Sequence, residues 1–437
     1  MRRIPRALAV GAGVALLATA CSSGSNTATS GSTETTSATE SASATDTDTE
    51  TETETETEAG APERADADLV IWADDKRAGA LESIAEEFGA DNGITVAVQA
   101  VSQDLLQTNF VTANTASNGP DIVIGAHDWI GNLVQNSAID PVNLPEADQG
   151  NYSDIALQGV TYESQIYGLP YAVESIGLYR NTDLVPDEPA DLDAAIAAAQ
   201  ASGAENPLCL QVGENGDAYH MQPLYSSAGG YLFGESADGG YDPADLGVGK
   251  EGSLAAAAKL GELGAAGVLK TSITGDNSIA TFTEGKCALL VSGPWALADI
   301  QTAGMNYALG PVPGFAGMQP AQPFTGVQAI YVASNGANKS FAESFVLDSA
   351  NTPETMKALY DAEARPPAMT SVLEEVSATD KDTAAFAEAA AGGQILPAIP
   401  QMAAIWEPLG KAEAAIVGGA DPAATMTTAG ETIAGNL

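Results

Sequence analysis

Beyond residue 68 the chain alternates short apolar runs with stretches whose apolar residues recur every three or four positions. L-V-I-W-A (69–73) reads as a strand, and A-L-E-S-I-A-E-E-F (80–88) places Leu81, Ile84, Ala85 and Phe88 on one helical face. D-N-G turns the chain, I-T-V-A-V-Q-A-V (94–101) reads as a second strand, D-L-L-Q-T-N-F-V-T-A (104–113) as a helix and D-I-V-I-G-A (121–126) as a third strand. This βαβαβ order predicts a parallel sheet with helices on both faces, whose ligands lie outside the carboxyl ends of its strands. Asp74, Asp75, Lys76 and Arg77 follow the first strand there, and His127, Asp128 and Trp129 follow the third. Trp72, inside the first strand, reads as core.

The first 20 residues do not fit this pattern. They carry three arginines, a short apolar core and small residues before Cys21, which is the composition of an export signal. Ala18-Thr19-Ala20 ahead of Cys21 resembles a bacterial lipoprotein box, although leucine sits one place earlier than usual. Lipidation of Cys21 is the expectation, with ordinary signal-peptidase cleavage as the alternative. Residues 21–65 are Ser, Thr, Ala and acids, including T-D-T-D-T-E-T-E-T-E-T-E-T-E, and cannot bury enough apolar surface to offset chain entropy. As a disordered tether they would span roughly 35 to 40 Å.

At 437 residues the chain is too long for one ordinary core. A net charge of -42, from 58 acidic and 16 basic residues, leaves no basic face for nucleic acid. There is no G-x-S-x-G, P-loop or H-E-x-x-H, and the only histidines are His127 and His220. No cofactor or metal is implied. So many acids make any chosen carboxylate pair weak evidence for glycoside hydrolysis. Cys209 and Cys287 lie in strand-like runs of an exported chain, so they read either as a disulfide or as two buried thiols.

Seven motifs then recur in the order of one family: V-I-W-A-D-D-K, G-P-D-I-V-I-G-A-H-D, Y-G-L-P-Y-A-V-E-S-I-G-L-Y-R-N, A-G-G-Y-L-F, S-G-P-W-A, P-F-T-G-V and I-L-P-A-I-P-Q-M-A-A-I-W. The chain from 69 onward resembles the maltose/maltodextrin-binding proteins of bacterial ABC importers. The resemblance implies an α/β, two-lobed, periplasmic-binding-protein-like fold, with a ligand cleft between the lobes and multiple hinge crossings. It assigns 66–173 plus 328–376 to an N-lobe and 178–322 plus 382–437 to a C-lobe. Carried over by position, the polar sugar ligands are Asp75, Lys76, Asp128 and Glu174, with Asp217 beside a poorly aligned loop. Charge-assisted hydrogen bonds suit a ring of hydroxyls. Trp295, Trp406 and Tyr219 take the stacking positions that face sugar C–H surfaces. A helix N-cap is the alternative for Asp75, and an inter-lobe salt bridge for Glu174.

Departures from the pattern bear on specificity. The family tryptophan before A-H-D is Gly125, while the expected arginine is Trp129, so one reading moves an aromatic four residues along. After Trp406, a tyrosine becomes Glu407 and an arginine becomes Gly410. The expected function is a membrane-anchored, extracytoplasmic, monomeric lipoprotein, not an enzyme, that closes on maltodextrin-like α-glucosides and delivers them to an ABC permease. A binding protein of the same fold for another sugar or polyol, and an extracellular glycosidase, are the alternatives.

Overall fold

The computed structural model describes residues 61–236 and 240–437. The expected signal peptide, Cys21 and the tether as far as residue 60 lie outside these residues. The last residues expected in the tether are held to the folded body. Arg64 donates to the Gly119 carbonyl (2.9 Å) and to Asp121 (2.8 Å), and the Ala65 amide donates to Gln99 Oε1 at 3.1 Å. Asp121 is fully buried and also accepts the Val70 amide, so Arg64 neutralises a carboxylate that pins the first strand.

The opening pattern folds as β1 (Leu69–Ala73), α1 (Asp75–Asn92), β2 (Val96–Ala100), α2 (Gln103–Thr115) and β3 (Ile122–Ala126). β1 lies between β2 and β3, parallel to both. α1 begins five residues before the stretch that periodicity marks. Asp74, in extended backbone, accepts the Lys76 and Arg77 amides as N-cap, so Asp75, Lys76 and Arg77 form the first helical turn rather than a loop. That polar turn carries no apolar rhythm to reveal it. Gly93 ends the helix at φ 67°, in the left-handed region. Trp72 is fully buried, and its indole N–H donates to Gln99 at 3.1 Å.

Further along come β4 (Gly168–Ser175), β5 (Gly177–Asn181), β6 (Asn206–Cys209), β7 (Cys287–Ser292), β8 (Tyr307–Gly310), β9 (Phe324–Ala333) and β10 (Gln394–Ile395). Among the described residues a seven-stranded sheet runs β10-β9-β3-β1-β2, with β4 and the short strand Ile139–Asp140 also paired to β9. A second sheet of four strands runs β8-β5-β7-β6. The cores divide with the sheets. One gathers residues from Leu69 to Val173 and from Val327 to Val376 on the first sheet, whereas the second sheet carries a core drawn from Ile176 to Phe324 and Leu396 to Ile433 and a smaller one around Tyr179, Cys209, Cys287 and Phe386. This is a two-lobed α/β fold.

Three neighbouring pairs mark where the chain passes from one core to the other: Val173 and Ile176, Phe324 and Val327, Ile395 and Leu396. The helix Lys381–Ala391 is a fourth link. Phe386 packs edge-on to Tyr179 at 6.0 Å, while Ala390 joins the first core and its carbonyl accepts the Thr325 hydroxyl at 2.9 Å.

β6 and β7 run parallel, with Leu290 opposite Cys209 and Cys287 opposite Asn206. Cys209 and Cys287 are joined as a disulfide, with Cα atoms 5.9 Å apart across a separation of 78 residues. Closing so long a loop restricts the unfolded chain. Replacing both cysteines by serine should cost roughly 4 kcal/mol on the loop-entropy account, read as a lower urea midpoint that reducing agent does not change further.

Candidate functional site

Two groups of side chains meet where the lobes join, one charged and one aromatic. The charged group grows from the first turn of α1. Arg77 is buried, paired to Asp74 on one side and to Glu363 on the other at 2.7 Å. Lys76, mostly exposed, reaches the same Glu363 at 3.1 Å. Arg365 donates from Nε to Glu363 at 2.8 Å and pairs through Nη1 with Glu174, whose other oxygen accepts Gln328 Nε2 at 2.9 Å. Glu174 therefore pairs with Arg365, from the segment after helix Pro353–Ala362, and not across to the other core. Asp75 stands exposed in the same turn.

Burial opposes the charge on Glu363, yet Arg365 and Arg77 outweigh it and hold the carboxyl at about 2. Tyr171, fully buried with its hydroxyl unpartnered, is pushed up to about 12 by burial, with Arg77 and Arg365 opposing. None of Arg77, Glu363 and Arg365 is named by the sequence motifs. Long-range pairing gives no local signal.

The segment after β3 forms a short turn, His127–Trp129. His127 is buried with both nitrogens used: the Val327 amide donates to Nδ1 (3.0 Å), so Nε2 carries the proton and faces the Leu396 carbonyl (2.9 Å). Burial keeps this imidazole neutral. It ties β9 to the last crossing. Asp128 keeps partial exposure, and burial raises its carboxyl, with His127 opposing and Glu174 adding. The ring of Trp129 lies on the backbone of Gly125, where a Cβ would stand 2.0 Å from Trp129 Cζ3. The missing tryptophan and the added one are thus in contact.

The aromatic group runs as a chain of ring contacts. Trp295 meets His220 (5.8 Å), His220 meets Tyr219 (5.3 Å), Tyr219 meets Phe324 (5.9 Å) and Phe324 meets Trp406 (6.0 Å). Tyr219, Trp295 and Trp406 come together through His220, which lies in none of the motifs, and Phe324, which a motif contains without marking it as a ligand. Trp295 is 38% exposed, the only aromatic among the large exposed apolar side chains of the described residues. Its ring lies against Gly293, where a Cβ would meet Cζ3 at 2.2 Å. The Tyr219 phenol is driven far up by burial, with Glu174 and Asp128 adding and Arg365 opposing. The aromatic and charged groups therefore share one electrostatic environment.

Asp217 caps helix α3 (Ala218–Ser227): Oδ1 accepts the His220 amide at 2.9 Å, and Oδ2 faces His220 Nδ1 at 3.1 Å and Gln211 Nε2. Both of its oxygens are thus engaged within its own lobe. Gly410, on helix α4 (Trp406–Val417), lies against the loop that precedes α3: a Cβ on Gly410 would stand 3.0 Å from the Asn215 carbonyl oxygen. An arginine there would displace that loop. Glu407 is turned outward and pairs with Lys411 at 2.5 Å. A groove of about 860 Å³, lined by His127, Gly159, Tyr162, Tyr241, Ile395 and Pro400 among others, opens on the far side of His127 and touches none of Asp75, Lys76, Asp128, Glu174, Tyr219, Trp295 and Trp406.

The model for bacterial extracellular solute-binding proteins matches residues 83–388. A galactooligosaccharide-binding protein of Bacillus subtilis is 27% identical over 381 residues, covering 85% of this chain and 90% of its own length. A maltodextrin-binding protein of the same organism is 26% identical, covering 75% and 79%. A maltotriose-binding protein of Pyrococcus abyssi is 25% identical, covering 79% and 76%.

Glu363 offers a pH test of the charged group. Its folded value, about 2, lies below the ordinary 4.5, so its contribution is complete above pH 4.5 and is lost as pH falls towards 2. Glu363→Gln should lower stability at pH 7 by about 2 kcal/mol, and urea midpoints measured from pH 6 to pH 2 should fall less steeply than in the unaltered protein.

Proposed function

This chain belongs to the bacterial extracellular solute-binding proteins, and we propose that its solute is an oligosaccharide, clamped between the two lobes and handed to an ABC transporter permease. A protein of this family binds without breaking a bond. One observation carries the sugar reading: an exposed tryptophan heads a continuous row of aromatic rings beside a network of paired charges at the junction of the lobes. Flat apolar faces suit sugar C–H surfaces and ionised groups suit hydroxyls, so the pairing fits a polyhydroxylated ring better than a purely ionic or purely apolar solute.

In this reading Trp295, Trp406 and Tyr219 form the platform, with Trp129 supplying the plane that Gly125 lacks. Asp75, Lys76, Asp128 and Glu174 bind hydroxyls, and Asp217 supports the platform from behind. Lys76 is suited to the task because its side chain is mostly exposed and, among the described residues, pairs with Glu363 alone. Maltodextrin-like α-glucosides are the finer expectation. The names of the relatives divide between galacto- and malto-oligosaccharides, which makes galactosides the competing class. The lobes follow the two cores, and Cys21 carries the lipid that holds this extracytoplasmic protein at its membrane.

Calorimetry with maltotriose and with a β-linked galactotriose tests the reading. Binding near 1 μM corresponds to about -8 kcal/mol, and Trp295→Ala or Trp406→Ala should each weaken it by about 2 kcal/mol, roughly thirtyfold, in protein that remains folded. Heat with neither sugar would remove the oligosaccharide reading. For the anchor, metabolic labelling with a fatty acid should mark the full chain and be lost in Cys21→Ser; label retained in that variant would place the lipid elsewhere.

A further inference from the structure

His220 sits inside the aromatic row, and half of its ring is already committed. Nδ1 faces Asp217 Oδ2 at 3.1 Å and Gln211 Nε2 at 2.8 Å, while its backbone amide is held by Asp217 Oδ1. The Gln211 amide and Nδ1 converge on one carboxylate oxygen; donation by both sets two donor nitrogens 2.8 Å apart, but a bare Nδ1 would turn its lone pair on an anionic oxygen, which costs more. Burial works against a charged Asp217, but the His220 and Gln211 hydrogen bonds hold its carboxyl below the usual range, so the shared proton belongs to nitrogen. The neutral imidazole so held carries its hydrogen on Nδ1 and presents a lone pair at Nε2.

That second nitrogen is buried and has no hydrogen-bond partner among the described residues. The residue is 7% exposed, and its ring meets those of Trp295 and Tyr219 edge-on at 5.8 and 5.3 Å. A buried acceptor left unpaired costs about 1 to 3 kcal/mol, and a histidine needed only for packing could be a phenylalanine at that position. Two side chains, Asp217 and Gln211, orient this ring, and what they leave over is one acceptor within the aromatic row. The ring beside it belongs to Trp295, the most exposed of the row.

We infer that His220 is a ligand-binding and specificity-determining residue whose Nε2 accepts a hydrogen bond from a hydroxyl of the bound carbohydrate. Entry of the sugar shifts the Trp295 ring and gives the unpaired nitrogen its partner. Asp217 and Gln211 act through His220, as positioning residues. The inference rests on the oligosaccharide reading above. It assigns the polar contact of the platform to a residue outside the family's motifs, and it requires a ligand with a donor hydroxyl beside its stacking face.

The chain has two histidines, so nitrogen NMR of histidine-labelled protein gives two separable ring systems, and His220→Phe identifies which is which. In the free protein His220 should show a protonated Nδ1 and a bare Nε2. When whichever of maltotriose or galactotriose gives calorimetric heat is added to saturation, the Nε2 resonance should move upfield while His127 stays in place. His220→Phe, which keeps a ring in the row, should weaken that sugar about tenfold. An unmoved His220 resonance in the sugar-saturated protein overturns the inference, and so does unchanged affinity in a folded His220→Phe. If neither sugar binds, the oligosaccharide reading falls and takes this one with it; a sugar that binds without touching His220 leaves the reading standing and removes only the inference.

Discussion

The structure depends on β9, one strand that both lobes must share. Its first residue, Phe324, belongs to the second core, and by Val327 it has entered the first. β3 and β4 both pair with it antiparallel, so most of the strand cannot move without breaking sheet hydrogen bonds. The same strand holds both chemistries in register: Phe324 touches Tyr219 and Trp406, Val327 fixes His127, and Gln328 holds Glu174. A change of lobe angle must therefore be absorbed in the few residues ahead of Val327, at the two other crossings and along the helix Lys381–Ala391. That is how a hinge confined to short segments comes about.

Charge sets a second constraint. In a chain of net charge -42, cations are scarce, and three arginines are spent on buried or half-buried carboxylates: Arg64 on Asp121, Arg77 on Asp74 and Glu363, Arg365 on Glu174 and Glu363. Guanidinium groups suit this use because one fork can serve two carboxylates and stays ionised when buried. Lysines pair mainly at the surface, where the energy returned is small. The acidic surface and the cation-rich junction are thus two sides of one allocation.

Much of the first lobe was legible because its signals are local. Apolar rhythm marked β1, β2, β3 and α2, and their order foretold the parallel pairing of β1 with both neighbours. The start of α1 was hidden, since an Asp cap followed by Asp, Lys and Arg looks like a loop until the cap is seen. At the site, motifs named residues that do gather, but not what binds them. Arg77 and Glu363 lie 286 residues apart, and nothing near either one announces the other. Gly410 reads as a lost arginine, whereas the structure gives its space to the loop at Gly216. His220 was passed over because a lone histidine carries no spacing.

The two tryptophan-on-glycine contacts have an evolutionary consequence. Neither Gly125 nor Gly293 has the left-handed backbone that usually reserves a position for glycine. Each is needed only for the room its missing side chain leaves to Trp129 or Trp295. Such a glycine is conditional. In a lineage that loses the ring, the glycine is released from constraint, and in one that fills the glycine, the ring must leave. Each pair should therefore drift as a unit, and a substitution scan that varies one position at a time would mistake a partnership for two separate requirements.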